Sequence, residues 1–139
     1  MTDLSLTATR TIKASPQRIF EAWLDPAMMT RFMFPRPDMH VREARCEPRV
    51  GGTFFVLMVG EKDYPHSGTY KEITPYSRLV FTWEAPWSAP DSTVEIVLTP
   101  VEGGTEVALT HIRFMTQESR DSHALGWAGI LASLDALVA

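Results

Sequence analysis

Disulfide chemistry within the chain is excluded, because Cys46 is the only cysteine among its 139 residues. One thiol is too few for a cysteine-type zinc site, and the spacing of the four histidines matches neither HxH nor HExxH. We therefore expect no metal and no cofactor. No GxSxG segment offers a serine nucleophile, and the VGG at 50–52 lacks the lysine and the spacing of a phosphate-binding loop.

Long apolar runs and basic runs are missing as well. No stretch approaches the roughly 20 apolar residues needed to cross a bilayer, and residues 1–15 lack the apolar centre of a signal peptide. The 13 Lys and Arg are scattered, and the 17 Asp and Glu give a net charge of −4, which argues against nucleic-acid binding. Together with the lone cysteine, these absences predict a cytoplasmic protein with no membrane span and no nucleic-acid partner.

The apolar pattern predicts one α+β domain over residues 1–139. Residues 4–13 alternate as a half-buried strand, and two short helices follow, each opened by a capping residue and a proline. Six more strands follow at roughly ten-residue spacing, over 39–46, 52–59, 66–73, 78–84, 92–99 and 105–112. The helix predicted over 117–138 is the one element long enough to cover a face of the twisted antiparallel sheet.

The terminal helix has an apolar stripe and an opposite face of small residues. The stripe consists of Ala124, Trp127, Leu131, Leu134 and Val138. The small face consists of Ser122, Gly126, Gly129, Ser133 and Ala136. Two interpretations of that face are open: tight packing against a neighbouring element, or a subunit contact that would make the protein a homodimer.

Five segments together carry a family resemblance: ASPQRIFEAWLDPAMMTRFMFP, EPRVGGTFFV, GTYKEITPYSRLVFTWE, GGTEVALTHIRF and HALGWAGILASL. In this order they resemble the START-like, or SRPBCC, superfamily. The resemblance implies a helix-grip fold, in which a curved antiparallel sheet of about seven strands wraps around a long C-terminal helix. Within the superfamily, the chain is similar to stand-alone prokaryotic members of the family named after activators of heat shock protein 90 ATPase.

The resemblance does not carry every family property over to this chain. Eukaryotic members have a separate chaperone-binding domain, for which these 139 residues leave no room, so a chaperone contact stays unproven. The family often has a tryptophan in the second short helix, ahead of a proline, whereas this sequence reads RFMFP there, with Phe32 and Met33. We therefore expect the pocket lining near Met33 to differ.

The superfamily resemblance implies a cavity between the sheet and the terminal helix that holds apolar or aromatic small molecules. The leading hypothesis is a non-enzymatic carrier or sensor of a small hydrophobic ligand, with Tyr70 or His111 orienting it. A filled core is the competing interpretation of the same aromatic residues. The candidate lining residues are Met33, Phe55, Tyr70, Phe81, Trp83, His111, Trp127 and Leu131.

Two other functions stay open. The first is an enzyme of the cyclase, aromatase or hydrolase type, in which Glu43, Arg45 or His111 would do acid–base work inside the cavity. The same residues have structural interpretations: a hydrogen-bonded histidine and a paired structural charge. The second is a protein-interaction module, either a chaperone co-factor or a homodimer.

Overall fold

The structure is a computed structural model that describes residues 4–139; residues 1–3 of the predicted domain lie outside the described residues. It contains seven strands and three helices, and their order agrees with the predicted order. The elements are β1 (Leu4–Ile12), α1 (Pro16–Trp23), α2 (Pro26–Phe32), β2 (His40–Cys46), β3 (Thr53–Val59), β4 (Asp63–Thr74), β5 (Arg78–Thr82), β6 (Thr93–Val101), β7 (Gly104–Phe114) and α3 (Gln117–Val138).

Each helix begins at the capping residue that the sequence indicates. The Ser15 hydroxyl accepts a hydrogen bond from the Arg18 amide at 3.1 Å, and proline occupies the first turn of α1. The Asp25 carboxylate accepts from the Ala27 amide at 3.0 Å and opens α2 in the same way. Thr116 caps α3. These local bonds satisfy amides that the first helical turn leaves without partners.

All seven strands form one antiparallel sheet in the order β1-β7-β6-β5-β4-β3-β2. The first and last strands are therefore neighbours, with Leu4 opposite Phe114 and Ile12 opposite Thr105. The long helix α3 packs against β1 and β7, and α2 packs against β2 and α3. This confirms the predicted helix-grip fold, with the terminal helix lying across the curved sheet.

Strand β4 begins earlier than predicted, at Asp63 instead of residue 66. Pro65 lies inside it, opposite Leu57 of β3. On the other side, β5 pairs with β4 only from Tyr70 onward. Around Pro65, the side of β4 that faces away from β3 is therefore not paired with β5. A proline, which has no N–H group, costs no hydrogen bond between these strands there.

The small-residue face of α3 is partly covered by the chain itself. Pro35, in the segment after α2, lies so close to Gly129 that a Cβ at this position would overlap its carbonyl oxygen. At Gly126 a Cβ would meet only the Pro35 Cβ at 3.5 Å, an ordinary contact. Gly129 thus lets the segment after α2 approach α3 closely, which favours the tight-packing interpretation for this half of the face.

Candidate ligand-binding site

A pocket of about 270 Å³ lies between the first half of α3 and the sheet. Its volume is near the lower end of ligand pockets, which span roughly 300–1,000 Å³. Its walls come from α3, the segment after α2, the β3–β4 hairpin and the segment that follows β5. The lining residues are Pro35, Arg36, Met39, Met58, Tyr64, His66, Trp83, Trp87, Ser122, His123, Gly126, Trp127 and Ile130.

Aromatic rings form the floor and the rim of this pocket. Trp83 and Trp127 are each 2% exposed, and their ring centroids lie 4.8 Å apart. The His66 ring lies over Trp83 at 4.6 Å. At the rim, the edge-on ring of Trp87 is 5.5 Å from His66 and 6.0 Å from Tyr64. Flat apolar surfaces of this kind suit an aromatic or hydrophobic occupant.

The histidines of the pocket are held by backbone carbonyls. Nδ1 of His66 lies 3.0 Å from the Tyr64 carbonyl oxygen, and Nδ1 of His123 lies 2.8 Å from the Ser119 carbonyl oxygen. A carbonyl only accepts, so Nδ1 is the donor in both bonds. Burial lowers the pKa of His66 to about 4, which keeps this ring neutral near pH 7.

His111 belongs to a buried network beneath the pocket and does not line it. The indole N–H of Trp127 donates to Nδ1 of His111 at 3.0 Å, and Nε2 lies 2.7 Å from the Ser92 hydroxyl. Because an indole N–H only donates, Nδ1 is the unprotonated nitrogen, and Nε2–H donates to Ser92. Burial lowers the pKa of His111 to about 3.

This arrangement decides between the interpretations of His111. Both ring nitrogens are already used, so no free lone pair is left to take a proton from Ser92 or from a ligand. In the Ser92–His111 pair the histidine donates and the serine accepts, whereas a catalytic base accepts the hydrogen bond from its nucleophile. The hydrogen-bonded structural histidine is the interpretation that the geometry supports, and the predicted position of His111 in the cavity lining is wrong.

The space deeper between the sheet and the helices is filled. A void of about 10 Å³ is all that lies among Trp23, Met29, Met33, Phe54, Tyr70 and Phe81. The rings of Trp23 and Phe32 pack nearly perpendicular to each other with their centroids 5.0 Å apart. The rings of Phe54 and Phe81 pack in the same way at 5.2 Å. Burial raises the pKa of the Tyr70 hydroxyl. This part of the interior is core, as the competing interpretation of the aromatic residues held.

The structure separates the eight predicted lining residues. Trp83 and Trp127 line the pocket. Met33, Tyr70 and Phe81 border the filled interior instead, and Leu131 is a core residue of α3 with 1% exposure. Met33 has 1% exposure, so the changed segment after α2 contributes to the core, while Pro35 and Arg36 reach the pocket.

Phe55 lies on the outer side of the sheet and not in the cavity, where it was predicted. Glu43 and Arg45 lie on the same outer side, so the geometry supports the paired charge of their two open interpretations. Phe54, Val56 and Met58 are the buried side of β3, so Phe55 points away from them. The guanidinium carbon of Arg45 lies 4.8 Å from the centroid of the Phe55 ring, a cation–π contact. Arg45 also pairs with Glu43 at 2.6 Å, and these side chains are 68% and 48% exposed.

Several residues that line the pocket were not among the predicted lining residues. Tyr64 and His66 alternate inward along β4, but the first part of that strand has the composition of a turn. Trp87 lies in the proline-rich segment between β5 and β6, where no periodicity indicates a direction. A signal was present for His66, which begins the predicted strand 66–73 and lies two residues from Gly68 and four from Tyr70, hence on the same face.

The described residues contain no metal-binding constellation. Within 4–139, no group of three or more His, Cys, Asp or Glu is placed to hold an ion. The Cys46 thiol donates to the Leu24 carbonyl at 3.1 Å, and burial raises its pKa, which disfavours the reactive thiolate. None of the helices in this part of the chain has the length and apolarity to cross a membrane.

Comparison with known proteins agrees with the fold. A protein from Chromobacterium violaceum is similar at a TM-score of 0.85 with 22% identity, covering 96% of each chain. One from Rhodobacter sphaeroides is similar at 0.81 with 26% identity, covering 96% of this chain and 91% of that chain. An AHSA1-like protein from Aeromonas hydrophila is similar at 0.81 with 23% identity, covering 96% and 90%.

The search of curated proteins found no match. Residues 13–139, however, match the model of the family described as Activator of Hsp90 ATPase homolog 1-like protein. The match extends from the end of β1 through α3 and so includes every element that borders the pocket. The chain therefore belongs to the Activator of Hsp90 ATPase homolog 1-like family.

Proposed function

We propose that the protein binds a small hydrophobic or aromatic molecule in the pocket between the sheet and α3, as a carrier or sensor that catalyses no reaction. The observation that carries this proposal is the pocket itself: about 270 Å³ with a floor of two buried tryptophans and a few polar groups at its walls. Apolar pockets with few, placed polar groups are the usual form of small-molecule sites.

The expected affinity is modest. Burying about 200 Å² of apolar ligand surface contributes roughly 5 kcal/mol at about 25 cal/mol per Å². The loss of translational and rotational freedom opposes this gain. We therefore expect dissociation constants in the micromolar to millimolar range for simple aromatic molecules, and titrations should reach those concentrations.

The polar candidates for catalysis support a non-enzymatic function. Both ring nitrogens of His111 are engaged below the pocket floor. The ion pair of Glu43 and Arg45 is exposed on the far side of the sheet. Acid–base work at a bound substrate would require a group within hydrogen-bond reach of the reacting atoms, and these three residues do not meet that condition.

Native mass spectrometry of freshly purified protein, with denaturing extraction of bound molecules, tests the proposal. Gly126 lines the pocket, and a Cβ there meets Pro35 at an ordinary distance. The substitution Gly126→Leu should therefore fill the pocket, whereas Gly126→Ala is the matched control that leaves it open. We expect a bound small molecule, or binding of added 2-methylnaphthalene, with the wild type and Gly126→Ala, and its loss with Gly126→Leu.

Binding that is equally strong in Gly126→Leu would place the ligand elsewhere and contradict the proposal. A wild type that carries no molecule and takes up no aromatic probe at millimolar concentration would also contradict it. The same spectra report the mass of the assembly, so they test the homodimer as well. A monomer at high protein concentration would remove the dimer form of the interaction hypothesis.

A further inference from the structure

One polar atom of the pocket is not used by the fold. His66 is 7% exposed, and its Nδ1 donates to the Tyr64 carbonyl. Within residues 4–139, its Nε2 has no hydrogen-bond partner. The Nε2 atom also differs from the indole nitrogens of Trp23 and Trp83, which are sealed from solvent and unpaired. His66 is one of the residues that line the pocket, and because Nδ1 is bonded to the backbone, Nε2 is the ring nitrogen left for an occupant.

The hydrogen bond at Nδ1 determines what Nε2 can do. A neutral imidazole carries one proton, and here the Tyr64 carbonyl keeps it on Nδ1. Nε2 is then an acceptor only. A hydrocarbon in the pocket would cover this lone pair without pairing it, which costs binding free energy, whereas a ligand that donates a hydrogen bond would satisfy it.

The charges around the pocket restrict the donor to an uncharged group. Asp and Glu are absent from the described residues that line it, and the one cationic side chain there, Arg36, is paired with Asp38 at 3.3 Å. An ammonium group would therefore be desolvated without a counter-charge. A hydroxyl group avoids this cost.

We propose, on the basis of the ligand-binding function above, that the pocket selects aromatic molecules that bear an uncharged, phenol-type hydroxyl group. The hydroxyl donates to Nε2 of His66 while the ring lies against Trp83 and Trp127. The volume of about 270 Å³ limits the ligand to one or two fused rings. His66 is thus the residue that determines specificity, and the tryptophans supply the apolar contact.

Calorimetric titration with 2-naphthol and 2-methylnaphthalene tests this inference, because the two molecules have the same shape and differ in the hydroxyl group. The wild type is compared with His66→Phe, which keeps a flat ring over Trp83 but removes the acceptor. His40→Phe is the matched control at an exposed histidine of β2. The preference for 2-naphthol over 2-methylnaphthalene should fall about tenfold in His66→Phe, the effect of one hydrogen bond, and stay unchanged in His40→Phe.

The outcomes separate the inference from the proposed function. An unchanged preference in His66→Phe, with both probes still bound, overturns the inference and leaves ligand binding intact. No binding of either probe to the wild type overturns both.

Imidazole ¹⁵N NMR of the wild type provides a second test that does not depend on folding of the variant. A proton on Nδ1 and a change at Nε2 on addition of 2-naphthol support the inference. A proton on Nε2 in the free protein overturns it.

Discussion

Acid should destabilise this fold because His111 is buried in its neutral form. The pKa of an unfolded histidine is about 6.5, whereas burial lowers that of His111 to about 3. Between about pH 6.5 and about pH 3, His111 therefore binds a proton in the unfolded chain but not in the folded chain. The contribution of His111 to the free energy of unfolding is full above that pH and is lost as the pH falls toward about 3.

The magnitude follows from the width of this interval. Each pH unit within it costs about 1.4 kcal/mol per histidine, so at pH 5 the loss from one buried neutral histidine is about 2 kcal/mol. His66, whose pKa burial lowers to about 4, adds a similar amount. Together the two residues should remove about 4 kcal/mol between pH 8 and pH 5, which is a large part of the stability of a typical domain.

Urea unfolding at pH 8 and pH 5, followed by circular dichroism, measures this difference. His111→Asn keeps an acceptor for the Trp127 indole but does not titrate. We expect the difference in unfolding free energy between the two pH values to shrink by about 2 kcal/mol in this variant. His40→Asn, at an exposed histidine, should leave it unchanged. A difference that is the same in His111→Asn and wild type would refute the buried neutral state of His111.

Three further results are expected. Gly126→Ala should raise the melting temperature by removing a helix-propensity cost of about 1 kcal/mol, whereas Gly129→Ala should lower it because its Cβ overlaps the Pro35 carbonyl; equal shifts would contradict this packing. Trp127→Ala should lose about 3–5 kcal/mol in urea unfolding and weaken binding of 2-methylnaphthalene, and unchanged affinity would count against its place in the pocket floor. Cys46 should react with iodoacetamide at pH 8 more slowly in the folded than in the urea-unfolded protein, as followed by mass spectrometry, since burial raises the pKa of its thiol.

The order of the elements could be predicted because the signals for it are local. A capping side chain bonds to an amide two or three residues away, as at Ser15 and Asp25. Strand alternation likewise depends on the next few residues. The same alternation puts Phe81 and Trp83 on one face of their segment, and both are buried.

The site was predicted less well because its shape depends on distant packing. Tyr70 and Trp83 both face inward, but Trp23 and Met33 pack near Tyr70 and fill that end, whereas the end at Trp83 stays open. No periodicity in the sequence distinguishes the two ends. Phe55 shows a second limit: both sides of β3 carry apolar residues, so the alternation does not reveal which side is inside.

The pairing of β1 with β7 has a consequence for synthesis of the chain. Residues 4–12 leave the ribosome long before residues 104–114, which supply the strand that pairs with them. Until then the inward side chains of Leu6 and Ile12, buried in the finished protein, lack β7 and α3, the strand and the helix against which β1 packs. Closing so long a loop is entropically costly and makes folding slow. Chains released before α3 would retain an uncovered sheet surface, so incomplete translation products should aggregate or require a chaperone.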